Sequence, residues 1–342
     1  MRKLCEIDAE LLARAEEHGS AEHIAVAAYV LAIARLYSGE FELADQGFER
    51  GWALWESIAK PVTGLPQQRA GLMPQVPQAQ TIQRLVNQAL NRIFSAWNLW
   101  FLGYPDQALE RVNIATAITH ESGSKAFPAY IFSWAAYIYE LRRELEHMRE
   151  RAEGALVLLT ELGDFMFRAR SEIYLGWAQV MAGDLDDGIA RMRHHRLELK
   201  AAGSELHCDY YLALIATALG RNGRFDEGLG TIDESFPFIE RTGQRLYEAE
   251  LHRLKGELLL AQNASNAAQA EQSFRTAIDI SRRQKAKSWE LRATTSLARL
   301  LDKQGKRDEA RAMLAEIYNW FTEGFDTADL KDAEALLAEL GA

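Results

Sequence analysis

Cysteine is almost missing from this chain. Cys5 and Cys208 are the only two in 342 residues, which leaves no disulfide framework and points to a reducing, cytoplasmic setting. Proline is also scarce: four of the seven lie between Pro61 and Pro77, so most of the chain is free to be helical. Long apolar runs are absent. The richest stretch, Ile24 to Ile33, falls well short of the roughly 20 residues that cross a bilayer, and the charged N-terminus lacks a signal peptide's apolar core. An excess of basic charge is missing too. The formal net charge is −10, which argues against nucleic acid as the main partner. No G-x-x-x-x-G-K-[ST] phosphate loop occurs, the nearest fragment being Gly305-Lys306-Arg307. Against these absences stand 48% hydrophobic and 10% aromatic residues, enough for a continuous core.

What is present is self-similarity. Gly123, Gly163, Gly203 and Gly243 follow one another at intervals of 40. A second series lies midway, through Gly103, Arg143, Gly183, Gly223 and Asn263, then Gly305 after a slip of two residues, and Gly19 and Gly39 extend the two series backwards. Helices commonly end on a residue at positive φ, where a side chain is penalised. Two such breaks per period predict two helices of about 16–18 residues joined by short turns.

The columns between the breaks sharpen this reading. Seven residues before each midway break stand Ala32, Ala96, Ala136, Gly176, Ala216, Gly256 and Ala298, all small. After the break come Ala44, Ala108, Met148, Gly188, Gly228, Ala270 and Ala310, then four further on Phe48, Val112, Ala152, Met192, Ile232, Phe274 and Leu314. Small residues where two helices cross, with a large apolar residue one turn on, resemble the tetratricopeptide signature with an enlarged period. The expectation is an all-α, right-handed superhelical solenoid of about seven helix pairs. A half-pair (about Leu4 to Glu17) precedes them and a terminal capping helix (about Thr327 to Leu340) follows. Residues 1–342 read as one such solenoid, interrupted at 60–80 by a proline-rich, nearly uncharged loop that breaks the register. That loop could be a surface insertion, a lid over the groove or a dimer contact.

Four stretches carry a more specific resemblance: Leu102–Leu109, Ala249–Leu260, Lys287–Ala293 and Trp320–Leu330. Together they resemble the helical C-terminal region of bacterial signalling proteins that join a class III nucleotide cyclase, a signal-transducing ATPase and tetratricopeptide repeats. The resemblance implies a sensing or partner-docking solenoid. It implies no catalysis, because the cyclase and ATPase sites lie in domains this chain does not contain.

Motifs with chemical potential read more simply as structure. Asp184-Leu185-Asp186-Asp187 spells the acidic pattern of some terpene cyclases, but acids recur at the same repeat position in Asp106, Asp226-Glu227 and Asp308-Glu309. There they favour the positive end of the second helix of each pair. His194, His195, His207 and Cys208 are the one nearby set resembling metal ligands. Adjacent histidines diverge by about 100° on a helix, so the pair does not chelate as an i, i+4 pair would. No cofactor or metal is expected.

In tetratricopeptide solenoids the first helix of each pair lines the concave face. The column just after the small position places Trp97, Tyr137 and Trp177 there, one repeat apart, while Thr217, Glu257 and Arg299 continue it. Neighbouring columns add Trp100, Tyr130, Glu140, Arg170 and Tyr210, with Glu250, Arg253 and Arg292 towards the C-terminal end. The expected site is therefore an aromatic groove formed by Trp97, Trp100, Tyr130, Tyr137, Glu140, Arg170, Trp177 and Tyr210. It would bind a protein segment or peptide in a non-enzymatic, regulatory role. A small-molecule sensor for a sugar-like or nucleotide-like ligand is the second reading, and an α/α toroid enzyme a distant third. A homodimer is compatible with either of the first two; a nucleic acid or membrane partner is not expected.

Overall fold

The computed structural model describes residues 1–59, 78–124 and 126–341. These form α-helices and one short 3₁₀ turn, with no strand among the described residues. A leading helix, Arg2–His18, packs against the first of seven helix pairs. The pairs are Ala21–Ser38 with Phe41–Ala59, Gln78–Leu102 with Pro105–Glu121, Phe127–Leu141 with Leu145–Leu162, and Phe165–Met181 with Leu185–Ala201. Then come Cys208–Arg221 with Phe225–Thr242, Glu248–Gln262 with Ala267–Gln284, and Lys287–Lys303 with Arg307–Tyr318. A terminal helix, Ala328–Gly341, closes the chain. We call the members of each pair A and B. The expected loop at 60–80 falls almost wholly on residues 60–77, outside the described residues, and Gln78–Gln80 already belong to helix A of pair two.

The crossing columns are buried as their composition requires. Ala32, Ala96, Ala136 and Ala216 have no exposed surface, nor do Phe48, Val112, Ala152, Met192, Ile232, Phe274 and Leu314 one turn beyond the second small column. In pair four both helices carry glycine at the crossing. A Cβ on Gly188 would lie 2.6 Å from the Gly176 carbonyl oxygen, so no side chain fits there without parting the helices. The hinge residues follow their series with three departures. Gly19 (φ −91°) and Asn263 (φ −160°) are extended, not left-handed, and the Asn263 side chain instead starts the 3₁₀ turn by accepting from Ser265 N. Lys285, which has no glycine to flag it, takes the left-handed role at φ 60°. Helix B of pair five is broken at Glu234, three residues before Pro237, whose ring and missing N–H spoil the preceding turn.

The superhelix closes on itself. Helix A of pair seven packs against helix A of pair two, and Ser288 Oγ donates to the Trp100 carbonyl oxygen at 2.5 Å. Arg245 N donates to the Tyr37 carbonyl oxygen at 2.7 Å, and the N-terminal ammonium donates to that of Thr242 at 2.6 Å. Glu323 Oε1 accepts from the backbone N–H groups of Asp106 and Gln107 at 2.9 and 3.1 Å, capping helix B of pair two. At this seam a Cβ on Gly103 (φ 98°) would meet the Trp320 ring at 2.6 Å and Lys287 Cβ at 2.8 Å.

Candidate functional site

Closure decides what the inner face can be. Trp97 meets Tyr137 at a ring-centroid distance of 4.5 Å, Tyr137 meets Tyr210 at 4.9 Å, and Tyr210 meets Tyr247 at 4.9 Å. Tyr247 then meets Trp289 at 5.2 Å, and Trp289 meets Trp100 at 4.8 Å. The chain of rings starts and finishes on helix A of pair two, having passed through pairs three, five, six and seven. His207 wedges beside it, 5.1 Å from Trp97, with its Nε2 bonded to the Tyr37 hydroxyl at 2.6 Å. Edge-to-face packing of this kind adds about 0.5–1.5 kcal/mol per pair beyond area burial.

Trp97, Trp100, Tyr137 and Tyr210 are therefore core residues and not walls of an open groove. Their exposures are 0, 2, 0 and 1%. The repeat columns do carry them to the superhelix axis, but opposite A helices approach so closely there that the rings fill the space. Tyr130 is half-buried against Trp134 and Phe167 and donates to Asp164 Oδ2 at 3.1 Å. Arg170 donates from Nε to the Tyr211 hydroxyl at 3.1 Å and lies over the Phe167 ring. Of the eight expected residues, only Glu140 and Trp177 line the space that remains.

That space is a cavity of about 300 Å³ on the inner face of pairs three to seven. Trp177, Met181, Leu214 and Leu254 supply its apolar wall, and Tyr247, 3% exposed, ties its lining to the buried rings. The remainder is charged. Glu250 holds Arg253 in a bidentate pair, both contacts at 2.7 Å, and Arg253 reaches Glu257 and Ser296 at 3.3 Å. Arg292 donates from Nε to Asp329 Oδ2 at 2.7 Å and from Nη2 to the Leu141 carbonyl oxygen at 2.6 Å. Asp332 and Asp329 both accept from Arg143, at 2.6 and 3.4 Å. The terminal helix thus supplies carboxylates to one side of the cavity.

Electrostatics follow from this enclosure. Burial pushes the Glu140 carboxyl up to about 7; Arg292 and the Tyr210 hydroxyl, 3.3 Å away, favour its charged form, while Glu250 and Asp329 oppose it. Burial works against the charge of Arg253 as well, but Glu250 and Glu257 hold its pKa above the ordinary value. Arg221 and Arg299 are exposed at the cavity and have no ion-pair partner among the described residues. The sequence columns contained Arg299 and the charged C-terminal stretch. In sequence alone the aromatic columns outweigh them as a binding signal.

The other expected chemistry separates. His207 is buried at the axis and Cys208 faces Arg196, 3.9 Å from its Nη2. His194 and His195 instead meet Glu198, with their ligand atoms within 4.8 Å of one another, and His195 Nδ1 is 2.7 Å from Glu198 Oε2. Asp184 to Asp187 sit at the start of helix B of pair four, and Asp186 accepts from Asn222 Nδ2 at 2.9 Å.

Paired helices, buried small crossings and a closed axis define a tetratricopeptide-like superhelix. No family model matches the chain. It is similar to a Rap protein solved with competence and sporulation factor, with 14% identity, a TM-score of 0.59, and coverage of 90% of this chain and 80% of that one. It is also similar to NprR solved with its peptide NprX (13% identity, TM-score 0.57, covering 90% and 80%) and to aspartyl phosphate phosphatase F from Bacillus subtilis (11%, 0.53, 86% and 70%). A protein of Rhizobium meliloti (strain 1021), uncharacterised, is 26% identical over 215 residues, covering 60% of this chain. The chain matches about 20% of that protein's length. No described helix is long and apolar enough to cross a membrane.

Proposed function

We propose that the chain is a non-enzymatic binding module that receives a short peptide segment in the inner cavity and serves a regulatory system. The observation that carries this is the convergence of A helices from five successive pairs on one cavity with a mixed apolar and arginine-rich wall. Binding sites of this kind pair an apolar surface with a few placed polar groups. The similar Rap and NprR structures, each solved with a peptide or factor bound, support the reading at the level of fold. The match to one fifth of a longer protein supports the use of such a solenoid within a longer chain; a signalling chain of the cyclase and ATPase kind is what the sequence resemblance alone suggests.

The test fills the cavity. Thr217 lines it, half-buried, so Thr217→Trp should obstruct the cavity while leaving helical content and unfolding temperature near wild type. Wild type should retain members of a random hexapeptide pool and the variant should retain at least tenfold less. Equal retention by both proteins contradicts the assignment of the cavity.

A second reading, a small-molecule sensor, has its own support in the cavity's volume of about 300 Å³, at the lower end of the range for small-ligand sites. Quenching of Trp177 fluorescence by a sugar or nucleotide, with no peptide retained, would favour it.

A further inference from the structure

Two arginines of the cavity wall are left without an acidic partner among the described residues. Arg253 is held by Glu250, Arg292 by Asp329 and Arg143 by Asp332. Arg221 and Arg299 have no such partner among the described residues, although they belong to the same wall as Trp177. Uncommitted guanidinium groups beside an apolar wall favour an anion, and arginine suits a carboxylate because its planar fork pairs with both oxygens.

A second group in the wall responds to any anion that enters. Glu140 faces the cavity from pair three, with Tyr137 and Arg143 from its own pair. Around it stand Tyr174 from pair four, Tyr210 from pair five, Tyr247 and Glu250 from pair six, Arg292 from pair seven and Asp329 from the terminal helix. Glu140 already competes with Glu250 and Asp329 for the positive field of Arg292. One more negative charge in this enclosure further disfavours the ionised form of Glu140, and by linkage the proton and the anion assist each other's binding.

Resting on the peptide-binding reading above, we infer that the cavity selects an acidic segment whose carboxylate pairs with Arg221 and Arg299, and that Glu140 takes up a proton as the segment enters. The ligand class is thus narrowed from any peptide to one bearing Asp or Glu beside an apolar residue that meets Trp177. Affinity then falls as the pH rises above about 7, the value to which burial pushes Glu140.

Two hexapeptide pools test this, one with Asp or Glu fixed at the third position and one with Asn or Gln there, the other positions randomised. Each is passed over immobilised full-length protein and retained peptide is quantified by mass spectrometry between pH 6 and pH 8.5. The acidic pool should be retained at least tenfold over the amide pool at pH 6.5. Arg221→Gln with Arg299→Gln should erase that preference; both side chains are exposed, and circular dichroism checks that the variant folds. Retention of the acidic pool should fall several-fold towards pH 8.5 in wild type and stay level in Glu140→Gln. Equal retention of the two pools overturns the acidic selectivity while leaving peptide binding intact. A pH-dependent loss that persists in Glu140→Gln overturns the role of that carboxyl. Retention of neither pool overturns the peptide reading itself.

Discussion

Glu140 and His207 carry opposite costs of burial, the carboxyl when it is ionised and the imidazole when it is protonated. Glu140 titrates near 7 and Asp209 near 6, both raised by burial, so folding gains from their protonated forms below the ordinary carboxylate range. That gain is lost as the pH rises through the raised values. His207 is the reverse: burial first, then Arg170, hold its pKa well below 6.5. Its contribution is complete above the unfolded value and declines as the pH falls below it. The two effects oppose each other between about pH 4 and pH 7 and neither changes further above about pH 7.5, so the unfolding temperature should be level from there to pH 8.5. Glu140→Gln, which still accepts from Tyr210, should stabilise the protein at pH 8.5 by on the order of 1–2 kcal/mol and change little at pH 5. Thermal melts across this range check it, and a variant no more stable at pH 8.5 would mean the carboxyl is well solvated. At this scale the sequence was only partly legible. It brought Trp97, Tyr137 and Tyr210 to the right face of their helices, but a column says which way a side chain points and not how close the opposite wall stands.

Helices were the most legible feature, because two superimposed signals defined them: breaks at a fixed period and small residues at a fixed distance from each break. The signal that the A helices are buried on both faces was also available. Phe127–Leu141 carries one charged residue, Glu140, in its whole length, and a helix apolar all round belongs inside a core. A solvent-lined groove needs a polar side that this helix lacks. Lys285 was illegible for a different reason, since a lysine in the left-handed region leaves no mark on composition. The crossing geometry makes a sharp prediction at this scale. Gly188→Leu inserts a side chain where a Cβ alone would lie 2.6 Å from a carbonyl oxygen, and it should destabilise by about 1–3 kcal/mol or more. Ala216→Trp, at a position with no exposed surface, should cost at least as much. Denaturant midpoints at unchanged slope measure both, and a neutral result at either site would place the A–B contact elsewhere.

Over the whole molecule, closure is what converts a repeat array into a closed ring with a polar cavity on its inner face. A solenoid's stability normally comes from neighbouring repeats alone; here pair seven and the terminal helix also return to pairs two and three. Period and columns could not foresee this, because superhelical pitch depends on small rotations per repeat that no single column records. The seam is partly ionic, through Arg143 with Asp332 and Arg292 with Asp329. Asp329→Asn should loosen it, and protection from hydrogen exchange should fall in Pro105–Glu121 and Ala328–Gly341 more than in Leu185–Ala201, which lies away from the seam. Uniform protection would show that apolar packing alone holds the closure.

The most direct measurement is of the seam itself. In a protein with Cys5 and Cys208 replaced by serine, Gln107→Cys and Glu323→Cys would place two thiols at residues 216 apart in the chain yet in hydrogen-bond contact across the seam. A short thiol-reactive bismaleimide should join them within one molecule in near-quantitative yield, with native circular dichroism retained. A folded protein that yields no such cross-link would show an open superhelix, and with it an exposed aromatic groove in place of the closed core and cavity described here.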